Sequence, residues 1–251
     1  MKNMSYDKFL DSIVNYLDNN YTLKISLSDK RDRLRHYLTK YFIVMPNELA
    51  TQLNYILQFE INQNPILDLK PHKQLSFIKH DITQIKTDAI VNAANSDGVG
   101  CFEYGHKCID NVIHNKAGPN LRMECQTILA NTKLPTSAAI ITSGYNLLSK
   151  YVIHTVGPIY QKELHQQCSN QLAMCYTNCL QLADKNKLST IVFCCISTGL
   201  YGFPANAAAE IAINSTKKYL QQTKSLIDVI FCTYSQNDFD IYQNLFEKLK
   251  F

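Results

Sequence analysis

The sequence predicts an α/β fold, with a sheet of about six strands covered by helices on both faces and preceded by a helical N-terminal extension. Two observations carry this prediction. Residues 1–72 show helical periodicity, whereas after Pro71 strand-like runs alternate with helical runs. The length of 251 residues suffices for one large domain with an extension. We therefore expect an extension over residues 1–72 and a second domain over residues 73–251.

The composition is typical of a folded, soluble protein. Hydrophobic residues make up 46% of the chain and charged residues 18%, which argues against disorder. Every apolar run is shorter than the roughly 20 residues of a membrane helix, and the first residues lack the order of a signal peptide. The net charge of +4 comes without a Lys/Arg tract for nucleic acid, and nine cysteines without a secretory signal indicate reduced thiols. We expect a cytoplasmic monomer that binds neither membranes nor nucleic acids.

Three helices are predicted in the extension. In YDKFLDSIVNYL the apolar residues recur at three- and four-residue spacing, which is typical of an amphipathic helix. A second helix is expected from Lys30 to Phe42, capped by Ser28 or Asp29, and a third after Pro46, through ELATQLNYILQF. Acids, bases and nucleophiles do not cluster in this region, which favours a helical cap or a partner-binding extension over catalysis.

The second domain alternates strands and helices. Six runs rich in Ile, Val and aromatic residues predict strands: LSFIKH, DAIVNA, AAIITS, YVIHTV, TIVFCCI and IDVIFCTY. Helices are expected at residues 107–117, 119–131, 163–186, 204–222 and 238–250. Sheets of this kind bind ligands beyond the carboxyl ends of their strands. The candidate binding loops therefore follow Ala93, Ser143, Val156 and Ile196.

The loop after the second predicted strand reads NAANSDGVGCFEYGHKCID. Asn side chains both donate and accept hydrogen bonds, which suits a sugar, and Gly98 and Gly100 allow backbone amides to approach an anion. A plain turn is the alternative for these residues. Cys101, His106 and Cys108 follow as C-x4-H-x-C, and thiolate and imidazole are ligands that zinc prefers.

Three protein ligands leave one tetrahedral position open, which is the pattern of a catalytic zinc site. A structural site would need a fourth ligand, for which His114, Asp110 and Cys125 are the nearest candidates. His106, Asp110 and His114 are spaced by four residues, so a shared helix face is expected, with Asp110 orienting a ligand histidine. The spacing alone supports two interpretations equally: a metal site, and cysteines that are simply buried in the core. Core packing is the prediction for His154 and for the other cysteines.

The loop after the fifth predicted strand, residues 197–204, is named the glycine loop here. Gly199 and Gly202 permit a tight curl whose amides, with the amino end of the next helix, can hold a diphosphate. Tyr201 and Phe203 could flank a sugar or a base. The loop lacks the Lys of a Walker loop and the spacing of the dinucleotide-binding GxGxxG motif. A strand-to-helix turn without a ligand is the alternative.

Three segments in order, DIT at 81–83, NAAN at 92–95 and ISTGLYGFP at 196–204, resemble the macrodomain family, whose members bind ADP-ribose. The resemblance implies a three-layer α/β/α fold with a mixed central sheet. GCFEYGHKCIDNVIH resembles the insert of the zinc-dependent branch of that family. This second resemblance implies Zn2+ as cofactor, held beside the distal ribose by Cys101, His106 and Cys108.

The resemblance also assigns roles to matching residues. Asp81 and the amide of Ile82 are expected to bind the adenine, and Asn92 and Asn95 to lie near the distal ribose. In the predicted mechanism Asn95 orients the ribose and Asp110 steadies a metal ligand or a water, which makes these two the candidate catalytic residues. The expected substrate-binding residues before the glycine loop are Asp81, Ile82, Asn92, Asn95 and Gly100. Those of the glycine loop are Ser197, Thr198, Gly199, Leu200, Tyr201, Gly202 and Phe203. Of these, residues 197–201 are expected to wrap the diphosphate through their backbone amides.

The predicted function is that of a zinc-dependent hydrolase that removes ADP-ribose from mono-ADP-ribosylated protein side chains. Its expected partners are ADP-ribose and ADP-ribosylated protein. Two alternatives stay open: a reader module that binds ADP-ribose without chemistry, and a deacetylase of O-acetyl-ADP-ribose. A purely structural zinc that staples the loop after Asn95 is a third possibility for the metal.

Overall fold

The structure is a computed structural model that describes residues 4–22, 26–69 and 74–248. The three helices predicted in the extension are present: α1 (Met4–Asn20), α2 (Lys30–Lys40) and α3 (Asn47–Asn62). Asp29 caps α2, because its side chain accepts a hydrogen bond from the backbone N–H of Asp32. Helix α2 ends at Lys40 rather than at the predicted Phe42. The predicted domain boundary between residues 72 and 73 lies outside the described residues.

Helices α1, α2 and α3 pack around a hydrophobic cluster of their own. Its centre is formed by side chains that are fully buried or nearly so, among them Ile13, Leu17, Leu34, Tyr37 and Ile56. The apolar spacing in α1 therefore predicted the face that packs against α2 and α3. Helices α2 and α3 also contact α4 of the following domain, so the extension rests directly against it.

All six predicted strands are present, together with two short strands that the pattern did not predict. The strands are β1 (Leu67–Asp68), β2 (Leu75–Lys79), β3 (Ile85–Lys86), β4 (Ala89–Ala93), β5 (Ala139–Ser143), β6 (Tyr151–Thr155), β7 (Thr190–Phe193) and β8 (Asp228–Thr233). The remaining helices are α4 (Ile109–Ala117), α5 (Pro119–Leu129), α6 (His165–Lys185), α7 (Ala205–Thr223) and α8 (Gln236–Lys248). Residues 249 and 250 of the last predicted helix lie outside the described residues.

The six long strands form one mixed sheet in the order β2-β8-β7-β4-β6-β5. Neighbouring strands are parallel except β5, which runs antiparallel to β6 at the edge of the sheet. The first four residues of β4 and all four of β7 are buried, as expected for central strands with helices on both faces. Strands β1 and β3 form a separate parallel pair. The predicted three-layer α/β/α fold is confirmed.

The five parallel strands end at one edge of the sheet, which is called the carboxyl edge here. Asp81 follows β2 at this edge, residues 94–108 follow β4, and the glycine loop follows β7. The sheet therefore gathers segments that are far apart in sequence. Among the described residues, no helix combines the length and the apolar character needed to cross a membrane.

Candidate functional site

Three of the four predicted binding loops, those after β4, β6 and β7, meet at the carboxyl edge. The prediction for the loop after Ser143 is wrong, because β5 runs antiparallel to β6 and ends at the opposite edge of the sheet. Val99, from the loop after β4, and Tyr201, from the glycine loop, both pack against a small hydrophobic cluster of Leu129, Leu134 and Val156. The backbone N–H of Tyr160, just beyond β6, donates to the carbonyl of Tyr201 at 2.8 Å. The loops that follow three neighbouring strands are thus joined into one surface.

The three predicted metal ligands lie together in the ligand loop, the name used here for residues 99–108. The Cys101 Sγ lies 3.4 Å from the His106 Nδ1, and the donor atoms of Cys101, His106 and Cys108 all lie within 4.8 Å of one another. A tetrahedral zinc with bonds of about 2.0 to 2.3 Å places its ligand atoms about 3.3 to 3.8 Å apart. The donor chemistry and the compact spacing therefore fit a zinc ion.

Cys108 has a second contact that fixes its position. It occupies the N-cap of α4, where its Sγ accepts a hydrogen bond from the backbone N–H of Asn111 at 3.4 Å. Burial raises the pKa of the Cys108 thiol to about 12, with further increases from Cys101 and Asp110. A thiol in such a place ionises when a cation binds, which is the expected behaviour of a metal ligand.

The predicted helix face shared by His106, Asp110 and His114 is wrong. Helix α4 begins at Ile109, after its Cys108 cap, so His106 belongs to the ligand loop. Only Asp110 and His114 share a face, with Asp110 Oδ1 3.6 Å from His114 Nε2. Among the described residues, no candidate for a fourth ligand joins the first group.

His114 and Cys125, two of those candidates, belong to a separate buried group. Their ligand atoms and those of His154 lie within 4.8 Å of one another. His154 is 0% exposed on β6, which confirms it as a packed strand histidine. Its Nε2 lies 2.9 Å from the Thr142 Oγ1 and its Nδ1 lies 3.1 Å from the Asn92 Nδ2. The group forms a polar layer under the ligand loop.

Burial keeps the histidines of this layer neutral. It lowers the pKa of His154 to about 3 and lowers the pKa of His114 well below its ordinary value, where His154 and Arg122 add to the effect. The contact between His114 and Asp110 is therefore a contact with a neutral ring and not an ion pair.

Asp110 lies above this layer and beneath the loop. Only 3% of the residue is exposed, and burial raises the pKa of its carboxyl group to about 6. A hydrogen bond of 2.8 Å from the Asn92 Nδ2 to Oδ1 and the charge of Arg122 oppose that increase. The carboxylate is thus held in place by an amide, and Asn92, which is 0% exposed, acts as its support.

Asn95 closes the turn that leads into the ligand loop. Its Oδ1 accepts hydrogen bonds from the backbone N–H groups of Asp97 and Gly98, at 3.0 and 3.2 Å. Its Nδ2 donates to the carbonyl of Gly100 at 3.2 Å and lies 3.4 Å from Asp110 Oδ2. The amide predicted to orient the ribose therefore shapes the loop and reaches the buried carboxylate.

Gly100 is required where the loop passes over α4. Its φ is +90°, and a Cβ at this position would lie 2.7 Å from the ring of His114. Any side chain would therefore push the loop away from the helix. The close approach brings the ligand loop down onto the polar layer.

Asp81 stands at the opposite end of the site, after β2. Its Oδ1 accepts from the backbone N–H and the hydroxyl of Thr83, at 3.0 and 2.6 Å, and its Oδ2 accepts from Lys116 Nζ at 2.9 Å. Burial alone would raise the pKa of Asp81, but the hydrogen bonds from Thr83 and Lys116 keep it below its ordinary value. The charged carboxylate starts the short 3-10 helix Ile82–Gln84, in which Ile82 is buried.

The glycine loop curls as predicted. The N–H of Gly202 donates to the carbonyl of Gly199 at 2.9 Å, and the N–H of Phe203 donates to the carbonyl of Ser197 at 3.0 Å. Ser197 has a φ of +65°, and its buried Oγ has no hydrogen-bond partner among the described residues. Leu200, at the tip, is 82% exposed. The positive φ of Ser197 is an unusual backbone conformation of the kind found at binding sites.

Two predicted residues of this loop have other local contacts. Thr198 Oγ1 donates to the carbonyl of Cys195 at 3.1 Å. Phe203 is only 2% exposed, and its ring packs against Tyr160 with centroids 4.9 Å apart. The Phe203 ring therefore anchors the loop in the core, and in this conformation only its backbone faces the curl.

Sequence reasoning missed two residues of this region. Arg122 is 2% exposed on α5, and burial lowers its pKa to about 10, which Asp110 and Cys101 partly oppose. Tyr234 is 81% exposed immediately after β8, beside the end of β2 that leads to Asp81. The aromatic residue at the end of the predicted strand IDVIFCTY could have indicated Tyr234. No sequence pattern indicates that an arginine in a helix is buried.

The mixed sheet and the two loops at its carboxyl edge define a macrodomain. The macro domain family model matches residues 91–212. The chain is 42% identical over 197 residues to a protein-ADP-ribose hydrolase of Staphylococcus aureus, covering 75% of this chain and 74% of that protein. This chain belongs to the macro domain family.

Solved structures agree with this assignment. A macrodomain of Oceanobacillus iheyensis with ADP is 39% identical and has a TM-score of 0.62, covering 69% of this chain and 90% of that one. A Trypanosoma brucei macrodomain in complex with ADP-ribose is 28% identical and has a TM-score of 0.65, covering 84% of this chain and 94% of that one.

Proposed function

We propose that this chain is a zinc-dependent hydrolase that releases ADP-ribose from mono-ADP-ribosylated protein side chains. The relatives named as ADP-ribose hydrolases support the hydrolase class. The zinc dependence rests on the Cys101, His106 and Cys108 group, whose donor atoms fit that ion.

One observation carries the proposal: the order of the site segments along the carboxyl edge. Asp81 follows β2, the glycine loop follows β7, and the ligand loop follows β4, in a sheet ordered β2-β8-β7-β4. Neighbouring strands are about 4.8 Å apart, so the glycine loop begins about 10 Å from Asp81 and the ligand loop one strand further. Adenine, diphosphate and distal ribose follow one another in the same order in ADP-ribose.

Each segment has a side chain or backbone suited to its part of the ligand. The Asp81 carboxylate can accept from the adenine amino group through Oδ2, which among the described residues accepts only from Lys116 and has a second lone pair. Tyr234, exposed beside it, offers an aromatic face to the base. The curl of the glycine loop and the first turn of α7 offer backbone amides to the diphosphate.

The distal ribose would then lie against the ligand loop, above Asp110. Zinc held by Cys101, His106 and Cys108 would supply Lewis-acid chemistry beside the distal ribose. The protein would contribute orientation: Asn95 holds the turn, Asn92 holds Asp110, and the carboxylate steadies the reacting ribose or accepts a proton. Binding energy from the adenosine and the diphosphate would position the reacting carbon.

The test of zinc dependence is Cys101→Ala, compared with Cys179→Ala, which removes a sulfur from the buried core of α6. Bound zinc per chain, affinity for free ADP-ribose and release from an ADP-ribosylated protein would be measured. We expect Cys101→Ala to lose the metal and at least 100-fold in release while still binding ADP-ribose. Cys179→Ala should keep both the bound metal and the wild-type rate of release. Full release by folded, metal-free Cys101→Ala protein would contradict the zinc-dependent mechanism.

The same assays separate the alternatives. Tight binding of ADP-ribose by the metal-loaded wild-type protein, without release from any linkage, would identify a reader module. Acetate release from O-acetyl-ADP-ribose without protein de-modification would identify a deacetylase.

Asp110→Asn, which can keep the contact with Asn92, should bind free ADP-ribose normally. It should release ADP-ribose from the modified protein at least 100-fold more slowly, in the range of general acid–base effects.

A further inference from the structure

The ligand loop is anchored to the N-terminal extension as well as to the α/β domain. Residues 102, 103 and 104 lie between the first and second metal ligands, and each contacts the extension. The Phe102 ring packs on that of Phe42 with centroids 5.9 Å apart, and the Tyr104 ring packs on that of His36 at 5.0 Å.

An ion pair adds to these two ring contacts. Lys40 Nζ lies 3.8 Å from a carboxylate oxygen of Glu103, although the Glu103 side chain is 79% exposed. Such an exposed pair contributes little by itself. The aromatic contacts therefore restrain the ligand loop more than the ion pair does. They are made by residues of α2 and of the segment that follows it.

Arg122 joins the two parts at the centre of this contact. Its guanidinium carbon lies 4.2 Å from the centroid of Phe102 and 5.7 Å from that of Phe42. Its Nη1 donates to the carbonyl of Thr39 at 3.0 Å. The residue is 2% exposed, and these contacts replace part of the hydration of the buried charge, although its Nη2 has no hydrogen-bond partner among the described residues.

A second polar contact fixes the helix that carries Cys108. Asn115 Nδ2, on α4, lies 3.0 Å from the Thr39 Oγ1 and 3.0 Å from the carbonyl of Asn111. Thr39 thus contacts α4 through its hydroxyl and α5 through its carbonyl. Cys108 caps the same α4, so its position depends on how that helix is seated.

We propose that residues 36–42 of the extension are part of the metal site: they hold the ligand loop in the shape that brings Cys101, His106 and Cys108 together. Phe42, His36 and Thr39 are positioning residues, with Arg122 between the two parts. The inference rests on the proposed zinc site and extends it. A ligand loop without regular secondary structure would otherwise lose conformational entropy when it binds the ion.

The test compares Phe42→Ala with Phe9→Ala in the 251-residue chain. Both residues are half-buried phenylalanines of the extension, but Phe9 packs on Tyr55, away from the ligand loop. Zinc affinity would be measured by competition with a chelator, and amide hydrogen exchange over residues 99–108 by mass spectrometry on the metal-free protein. Phe42→Leu serves as a milder variant in case the alanine variant fails to fold.

We expect Phe42→Ala to weaken zinc binding at least tenfold and to speed exchange in the ligand loop, while the affinity for ADP-ribose changes less than threefold. Phe42→Leu should show a smaller change in the same direction, and Phe9→Ala none. Equal zinc affinity and equal loop exchange in all variants would overturn the positioning role and leave the proposed function intact. Failure of the wild-type protein to bind zinc would overturn both.

Discussion

At the scale of single residues, the site depends on polar side chains that water does not reach. Asn92 and His154 are 0% exposed, and Asp110 is 3% exposed. Such groups are tolerated because they bond to one another, as Asn92 does to both Asp110 and His154. The network fixes the carboxylate and the tautomer of the histidine together, since the nitrogen facing Asn92 accepts a hydrogen bond.

The neutral state of His154 predicts a loss of stability in acid. Burial lowers its folded pKa to about 3, below the roughly 6.5 expected in the unfolded chain. Between these values the unfolded chain binds a proton that the folded protein does not, so stability is present above pH 6.5 and falls as the pH decreases. The loss from this residue is about 2 kcal/mol at pH 5 relative to pH 8.

Urea unfolding of wild-type and His154→Gln proteins between pH 8 and pH 5, at a fixed metal concentration, would measure this effect. The variant should be less stable at pH 8 and lose about 2 kcal/mol less on acidification. His165→Gln removes an exposed histidine and is the matched control. Parallel pH profiles of wild-type and His154→Gln proteins would show that His154 is not held neutral.

At the scale of elements, periodicity predicted most of the fold. The strands of the sheet are short apolar runs between turns, and this pattern located all six of them. Strand direction was also within reach: only residues 144–150 connect β5 to β6, which is too short for a parallel crossover and favours an antiparallel pair. The order of the strands in the sheet depends on how the helices pack, so no single segment of the sequence predicts it.

The site was predicted less completely, for physical reasons that particular residues show. The ligand spacing found Cys101, His106 and Cys108, but it placed His106 on a helix that begins only at Ile109. Arg122 is polar in sequence and buried in the fold, because Phe42 and Phe102 cover it from distant segments. Contacts of this kind form between distant segments when the chain folds, so no local sequence pattern predicts them.

The glycine loop yields a prediction about the diphosphate. A Cβ at Gly199 would meet no atom within 4 Å, and its φ is not positive, so a side chain there should not strain the fold. If the diphosphate occupies the curl, Gly199→Val should weaken ADP-ribose binding at least tenfold at unchanged thermal stability. Calorimetric titration and a melting curve would measure the two quantities.

Gly202→Ala is the informative comparison. Its φ of +66° lies in the left-handed region, so alanine should cost about 1 kcal/mol of stability even though the position is open. The two variants therefore separate a steric effect on the ligand from backbone strain. Wild-type affinity in Gly199→Val would mean that the diphosphate binds elsewhere.

At the scale of the whole molecule, two hydrophobic clusters share a polar interface. The extension has its own core, and the α/β domain has a larger one. Between them lie buried hydrogen bonds, including those from Asn115 to the Thr39 hydroxyl and from Arg122 to the Thr39 carbonyl. If the extension detached, apolar surface such as the Phe42 and Phe102 rings would be exposed to water, which is unfavourable. The two parts should therefore unfold together.

Leu17→Ala tests this coupling. Leu17 is 0% exposed at the centre of the extension and remote from the sheet, and its truncation should cost about 2 to 5 kcal/mol. In a cooperative molecule the whole chain loses that stability, so amides of α7 in the distant domain should exchange faster by the same free energy as amides of α1. Native-state hydrogen exchange measures both helices in one experiment. Faster exchange confined to α1, α2 and α3 would show that the extension opens independently, in which case the ligand loop would lose its anchor without global unfolding.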